Sequence, residues 1–244
     1  MCEGRMKVIC AGLMKTGTCT LARALELLGH EVYFHSSVHF NLQEWLDTFE
    51  TDHLPNFKEV FKNVDAVTDH APAFWFEEIA HAFPEAKVIL TVRYSEEAWL
   101  KSWQEHLRLE RKLLSSYMKI LLEIAPSRRK RRHYFDVMHH AIVGSTHPEA
   151  GALYKAKYRK HNARVQAVVP AEKLLIYNVK QGWKPLCDFL GCDVPSTQFP
   201  RANVGHSDTK NVMAKAIERA KREALIVLSF VCAIFFIISC CFFL

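Results

Sequence analysis

Three absences narrow the possibilities before any motif is considered. The 244-residue chain has eight cysteines but no Cys-x-x-Cys pair, and Cys232, Cys240 and Cys241 fall in its apolar C-terminal stretch. Neither a disulfide framework nor a zinc site is expected; reduced cytosolic thiols are. An apolar leader is also missing. Met1–Arg5 has no apolar run, and Met6–Ala11 is too short and too soon interrupted to act as a signal peptide. A GPI signal requires such a leader, so the apolar C-terminal stretch is expected to be kept. Finally, nothing charged follows Glu223. Ala224–Leu244 reads ALIVLSFVCAIFFIISCCFFL, 21 residues with Ser229 and Ser239 as the clearly polar side chains. As a helix it would extend about 31 Å, enough to cross the hydrocarbon core of a bilayer.

The charge that is present is biased. The net value of +6 comes largely from Lys210, Lys215, Arg219, Lys221 and Arg222, just before the apolar stretch, and from Arg128–Arg132 (RRKRR). The positive-inside tendency predicts a tail anchor with the body in the cytosol, the endoplasmic reticulum being favoured over the outer mitochondrial membrane. Arg128–Arg132 reads as a solvated face, with a membrane-surface contact as the alternative; no nucleic-acid partner is expected. The organisation expected is a globular domain at 1–206, a basic juxtamembrane segment at 207–223 and a transmembrane helix at 224–244.

Hydrophobic patterning predicts an α/β fold. Met6–Ala11, Glu31–Phe34, Asp65–Asp69, Lys87–Val92 and Lys173–Tyr177 read as strands; Lys87–Val92 (KVILTV) is the clearest, β-branched and uncharged after its lysine. Helices are expected at Thr18–Leu28, Ala73–Phe83, Glu96–Ile124, Arg128–Ile142, Glu149–Val168 and Trp183–Leu190. Continuous apolar strands alternating with helices imply a parallel sheet covered on both faces. Ligands of such sheets gather at the carboxyl ends of the strands, where Gly12, Asp69, Arg93 and Tyr177 fall.

The first strand runs into Gly12-Leu13-Met14-Lys15-Thr16-Gly17-Thr18 and then a helix. Two glycines permit tight turning, so that backbone N–H groups and a helix N-terminus can face an anion. The G-x4-G spacing is that of a Walker A loop, but Thr18 stands where an NTPase needs lysine, and the lysine lies inside the loop at Lys15. This disfavours an ATPase or kinase. The absence of G-x-G-x-x-G sets aside a dinucleotide-dependent hydride transfer.

GLMKTGTCTL at Gly12–Leu21 resembles the 5′-phosphosulfate loop of sulfotransferases, and the chain as a whole resembles the sulfotransferase-like P-loop branch also found in fungi and invertebrates. The other matching pieces are Asp69–Arg93 (DHAPAFWFEEIAHAFPEAKVILTVR), Glu172–Gly191 (EKLLIYNVKQGWKPLCDFLG) and Phe199–Asn203 (FPRAN). The resemblance implies a P-loop parallel sheet flanked by helices that binds 3′-phosphoadenylyl sulfate without a metal. It assigns Lys15 to the leaving phosphosulfate, and Gly12, Thr16, Gly17, Thr18, Cys19 and Thr20 to the 5′-phosphate. Arg93 and a serine on the next helix would hold the 3′-phosphate. Ser102 is favoured there, with Lys101 the alternative, and Tyr177 would lie beside adenine. Cys19 departs from the usual hydroxyl residue.

On the acceptor side the resemblance and the end of the third strand favour Asp69 as general base, although a carboxylate of ordinary pKa near 4 is a weak one. His70 is the alternative. Neighbouring strand residues point to opposite faces, so only one of the two is expected to serve. His35 and His39, and the aromatics Phe74, Trp75 and Phe76, are further candidates for acceptor contacts. The resulting expectation is sulfuryl transfer to a hydroxyl or amine of a small acceptor, with lipophilic acceptors delivered through the membrane among the candidates. A membrane-tethered nucleotide-binding or interaction protein without transfer activity is the alternative, with a P-loop kinase or NTPase behind it.

Overall fold

The computed structural model describes residues 6–34, 41–112, 123–202 and 207–242. Five strands, β1 (Val8–Cys10), β2 (Val32–Tyr33), β3 (Ala66–Val67), β4 (Lys87–Thr91) and β5 (Leu174–Tyr177), form one parallel sheet in the order β2-β3-β1-β4-β5. In its register Val8 stands between Ala66 and Lys87, and Thr91 opposite Tyr177. The described helices are α1 (Thr18–Leu27), α2 (Leu42–Glu50), α3 (Phe57–Val60), α4 (His70–Phe74), α5 (Phe76–Ala82), α6 (Glu96–Lys112), α7 (Pro126–Val143), α8 (Gly151–Val168), α9 (Trp183–Leu190) and α10 (Ser207–Phe242).

Alternation along the strands divides the core. Ile9, Val67, Val88 and Leu90 enter one layer with Trp45, Phe61, Trp99, Trp103 and Tyr154. Val8, Cys10, Ala66 and Ile89 enter the other, against Leu21 and Leu25 of α1 and Trp183 and Leu186 of α9. Both faces are buried, as the uninterrupted apolar runs require. Cys10, Cys19, Cys187, Cys192 and Cys232 are free thiols.

The fold differs from the pattern-based expectation in three places. The third strand ends at Val67, so Thr68 and Asp69 belong to a turn. The helix expected at Ala73–Phe83 starts earlier and is divided at Trp75 into α4 and α5. Pro72 does not prevent the early start, because in a first turn its missing N–H has no intrahelical partner to lose. Thirdly, α2 and α3 were not expected. Their signal is in the sequence: Asn41 accepts from the N–H groups of Gln43 and Glu44, and Asn56 from that of Lys58, so each asparagine caps a helix. His35, His39, Asn203 and the expected helical stretch 113–122 lie outside the described residues.

The final helix is continuous from Ser207 to Phe242, and Ala214–Ser239 within it is long and apolar enough to cross a membrane. Near Ala220 and Ala224 it packs on Ala125. Beyond that point Phe230, Phe235 and Phe236 face outward, the last 71% exposed. Contiguous apolar surface of this kind needs something to cover it.

Candidate functional site

The loop after β1 is fixed by close packing. A Cβ on Gly12 would stand 1.9 Å from Thr91 Oγ1 and 2.7 Å from the Thr91 backbone nitrogen, so no side chain fits where the loop leaves the sheet. Gly17 has φ 113°, and a Cβ there would meet Val179 at 2.8 Å. Only glycine takes such a conformation without strain. Gly12→Ala is therefore expected to destabilise the fold by about 2 kcal/mol or more, since neighbouring backbone must move. A urea midpoint for the variant equal to that of the parent would refute this packing.

Gly17 starts α1 without any side-chain cap, and no acidic residue occupies the first turn. The N–H groups of that turn are thus available to an anion at the positive end of the helix. Thr18 and Thr20 are buried and Cys19 half-buried. Thr20 Oγ1 accepts from the Ala202 N–H at 3.2 Å and so ties the FPRA segment to the helix start. Thr16 departs from its expected role as a hydroxyl contact. It is fully buried, donates its hydroxyl to Leu13 O at 2.6 Å and lies against Thr91 Oγ1. Its hydroxyl braces the loop from within.

Lys15 is half-buried with φ 68°. Burial, above all, lowers the pKa of its ammonium, and Arg93 acts in the same direction; Cys19, Glu110 and Glu105 oppose them. Arg93, just past β4, donates from Nε to Lys15 O at 2.7 Å and reaches Ser102 Oγ at 3.5 Å from Nη2. The structure thus brings Arg93, Ser102 and the loop together, whereas Lys101 is exposed. Trp99 supports the loop from the same helix, donating from Nε1 to Met14 O at 2.9 Å while stacking on Tyr158. Tyr177 is fully buried and donates its hydroxyl to Gly182 O at 2.7 Å. It holds the turn that carries Val179 against Gly17.

Asp69 lies at the carboxyl end of β3, with φ 93° and ψ −166°, and its side chain caps no helix. Lys15 and Asp69 are the two non-glycine residues of positive φ among the described residues. Such conformations cost of order 1–3 kcal/mol each and persist where surrounding structure imposes them, which makes the pair a pointer to function. The expectation that Asp69 and His70 face opposite ways is corrected. Because β3 has already ended, the turn places His70 Nδ1 2.8 Å from Asp69 Oδ1. They form one carboxylate–imidazole unit.

Two residues of this region escaped the sequence reading. Arg131, from the run taken as solvated, turns inward over the Phe135 ring at 5.0 Å. Burial lowers its pKa, while Glu110, Tyr134 and Asp69 stabilise its charge. Its signal was positional: Arg131, Tyr134, Phe135, Met138, His139 and Ile142 share one helical face, so the arginine stands on the apolar side of α7. Glu110, near the end of α6, has its carboxyl pushed up to about 7 by burial, with Asp136 adding and Arg131 and Lys15 opposing. Glu110 and Arg131 electrostatically link Lys15 to Asp69. Tyr33, whose hydroxyl accepts from Trp45 Nε1 at 2.7 Å, and Tyr134 lie within electrostatic reach of Asp69, and in the segment that follows Asp69 Phe74 and Trp75 pack on Phe49. Phe74 and Trp75 are half-buried, while Phe76 belongs to the core.

His139, behind His70, is 2% exposed and has its pKa pushed down to about 3 by burial first, then by His70 and His140, against Asp69. An unfolded histidine titrates near 6.5. Between that value and about 3 the unfolded chain binds a proton that the folded chain does not, so stability falls as pH falls through the window. Glu110 works with the opposite sign between 4.5 and about 7, where the folded state holds the extra proton. In His139→Phe the acid-side loss should shrink, read as a flatter dependence of the urea midpoint on pH. Parallel profiles for variant and parent would show that His139 takes up its proton in the fold.

Residues 7–207 match the model of a family described as the sulfotransferase domain. The chain is also 32% identical over 208 residues to the Aspergillus versicolor protein named Ava biosynthesis cluster protein M, with 80% of each chain covered.

Proposed function

Because this chain belongs to the sulfotransferase domain family, we propose that it transfers a sulfuryl group from 3′-phosphoadenylyl sulfate to a hydroxyl or amine of a small acceptor. The observation that carries this reading is the joint placement of Lys15 and Asp69. They are the two strained side-chain-bearing residues of the described chain, at the carboxyl edge of the same sheet, with Lys15 held by Arg93 through its carbonyl.

The residues fit the donor's chemistry. The uncapped first turn of α1 and the loop preceding it supply N–H groups for a 5′-phosphate, and Arg93 with Ser102 supplies donors for a 3′-phosphate. The bound donor supplies an activated sulfuryl group whose leaving phosphate gains negative charge. Lys15 stands to offset that charge from a partly desolvated position, where a fixed cation stabilises more than it does in water. Across the site Asp69, paired with His70, accepts the acceptor's proton as transfer completes. The aromatic residues on α2, α4 and α7 favour an acceptor with apolar surface, and α10 brings the domain to the membrane where such compounds partition. We place the body on the cytosolic side, from the basic residues preceding the apolar stretch.

The test is transfer of label from [35S]-labelled donor into a lipid extract by the full chain in detergent or vesicles. Retained donor binding with no labelled product across polar and apolar extracts would favour the binding-protein reading.

A further inference from the structure

The fold joins two basic clusters that the sequence separates widely. The first turns of α7 pack on α10 through Ala125, Ala220 and Ala224, with Ile124 and Ile217 against them. Glu223 fastens the contact: one carboxylate oxygen accepts from the Ser127 N–H at 3.0 Å and the other pairs with Arg219 at 3.0 Å. Beside this clamp runs an open groove of about 460 Å³ lined by Pro126, Ser127, Lys130, Arg219, Glu223, Ile226 and Val227.

The groove changes character along its length. Ile226 and Val227 belong to the first turn of the uncharged stretch, whereas Arg219 lies five residues before Ala224, about 7 Å along the helix. A headgroup layer is roughly 5–8 Å deep on each side of the hydrocarbon core. In a spanning helix the apolar end of the groove is therefore level with acyl chains and the Lys130–Arg219 end level with headgroups. Glu223 offsets one of these two cations, which leaves one net positive charge, and Lys130 forms no ion pair among the described residues. Arg129 and Arg222, next in sequence to Lys130 and Glu223, are exposed cations, and Arg128 Nε is buried without a partner among the described residues.

We propose that this groove binds one anionic phospholipid of the adjoining leaflet, its phosphate headgroup at Lys130 and Arg219 and an acyl chain along Ile226 and Val227. Apolar walls running into the bilayer suit a lipid tail, and a cationic end at headgroup depth suits its charge. The site is separate from the transfer site and does not depend on the reaction assigned there.

The test uses the full chain in nanodiscs of phosphatidylcholine mixed with phosphatidylserine, followed by native mass spectrometry of the lipid retained after release from the disc. Retained phosphatidylserine should be enriched about fivefold over its share in the disc, as one net cation near headgroups gives. Lys130→Glu, at an exposed position that leaves the Glu223 clamp intact, should abolish the enrichment; Lys58→Glu, on exposed surface of α3, should retain it. Lipid retained at the bulk ratio by the parent chain, or equal enrichment in Lys130→Glu, would overturn the proposal.

Discussion

Lys15→Ala is expected to lower kcat/KM by about 10³-fold, roughly 4 kcal/mol of transition-state stabilisation, and to weaken donor affinity in the same variant. The size follows from where the ammonium sits. Burial lowers its pKa, so the site holds the cation at a solvation penalty that a negatively charged ligand relieves. Folding should be little affected. Arg93 grips the Lys15 carbonyl, which alanine retains, and the positive φ is as unfavourable for lysine as for alanine. Calorimetry with 3′-phosphoadenosine-5′-phosphate and transfer from labelled donor check the two halves. Undiminished affinity together with normal turnover would reject the assignment of the loop.

Asp69→Asn should separate binding from transfer. Donor affinity is expected to stay within a few-fold of the parent, while turnover falls by about 10²–10⁴-fold, the usual contribution of a positioned proton acceptor. Asparagine is a fair probe, since it is close to aspartate in size and is no more strained than aspartate at φ 93°, ψ −166°. The 2.8 Å pairing with His70 refines the experiment. A carboxylate can take the proton itself, or it can orient an imidazole that does so. His70→Gln distinguishes these: retained transfer in that variant keeps the role on Asp69, and loss equal to that of Asp69→Asn assigns it to the pair. Unchanged turnover in both would remove the proton acceptor from this end of β3.

The sheet was readable because its strands lack ambiguity. Lys87–Thr91 is β-branched and bounded by charge, and Trp183–Leu190 ends at Gly191, so strand and helix appear where patterning places them. The shape of the Gly12–Thr20 loop is legible for a related reason: its glycines, lysine and threonines lie close together in the chain, and local geometry follows from local sequence. The other side of the site depends on contacts between distant segments. Glu110 and Arg131 come from different helices, and nothing near either residue in the chain announces the other. Arg131 is further obscured by its basic neighbours, of which Arg129, Lys130 and Arg132 are exposed. The Asp69–His70 pair escapes the period-two rule because the strand stops at Val67. Thr16 and Tyr177 show the converse limit. A motif gives their positions, while their hydroxyls are directed inward by Leu13 and Gly182.

The unbroken course of α10, fastened to α7 at Ser127 and Ala125, bears on how an acceptor is found. If that contact persists in a bilayer, the domain is held against the membrane helix and does not sample the surrounding volume on a loose tether. In a bilayer it rides at a set height and orientation and meets molecules by lateral diffusion in the leaflet. Encounter then depends on how many acceptor molecules share each unit of membrane area. Turnover would follow the mole fraction of an apolar acceptor in the lipid more closely than its bulk concentration, so diluting the acceptor with inert lipid should slow the reaction even when the total amounts of enzyme and acceptor are held constant.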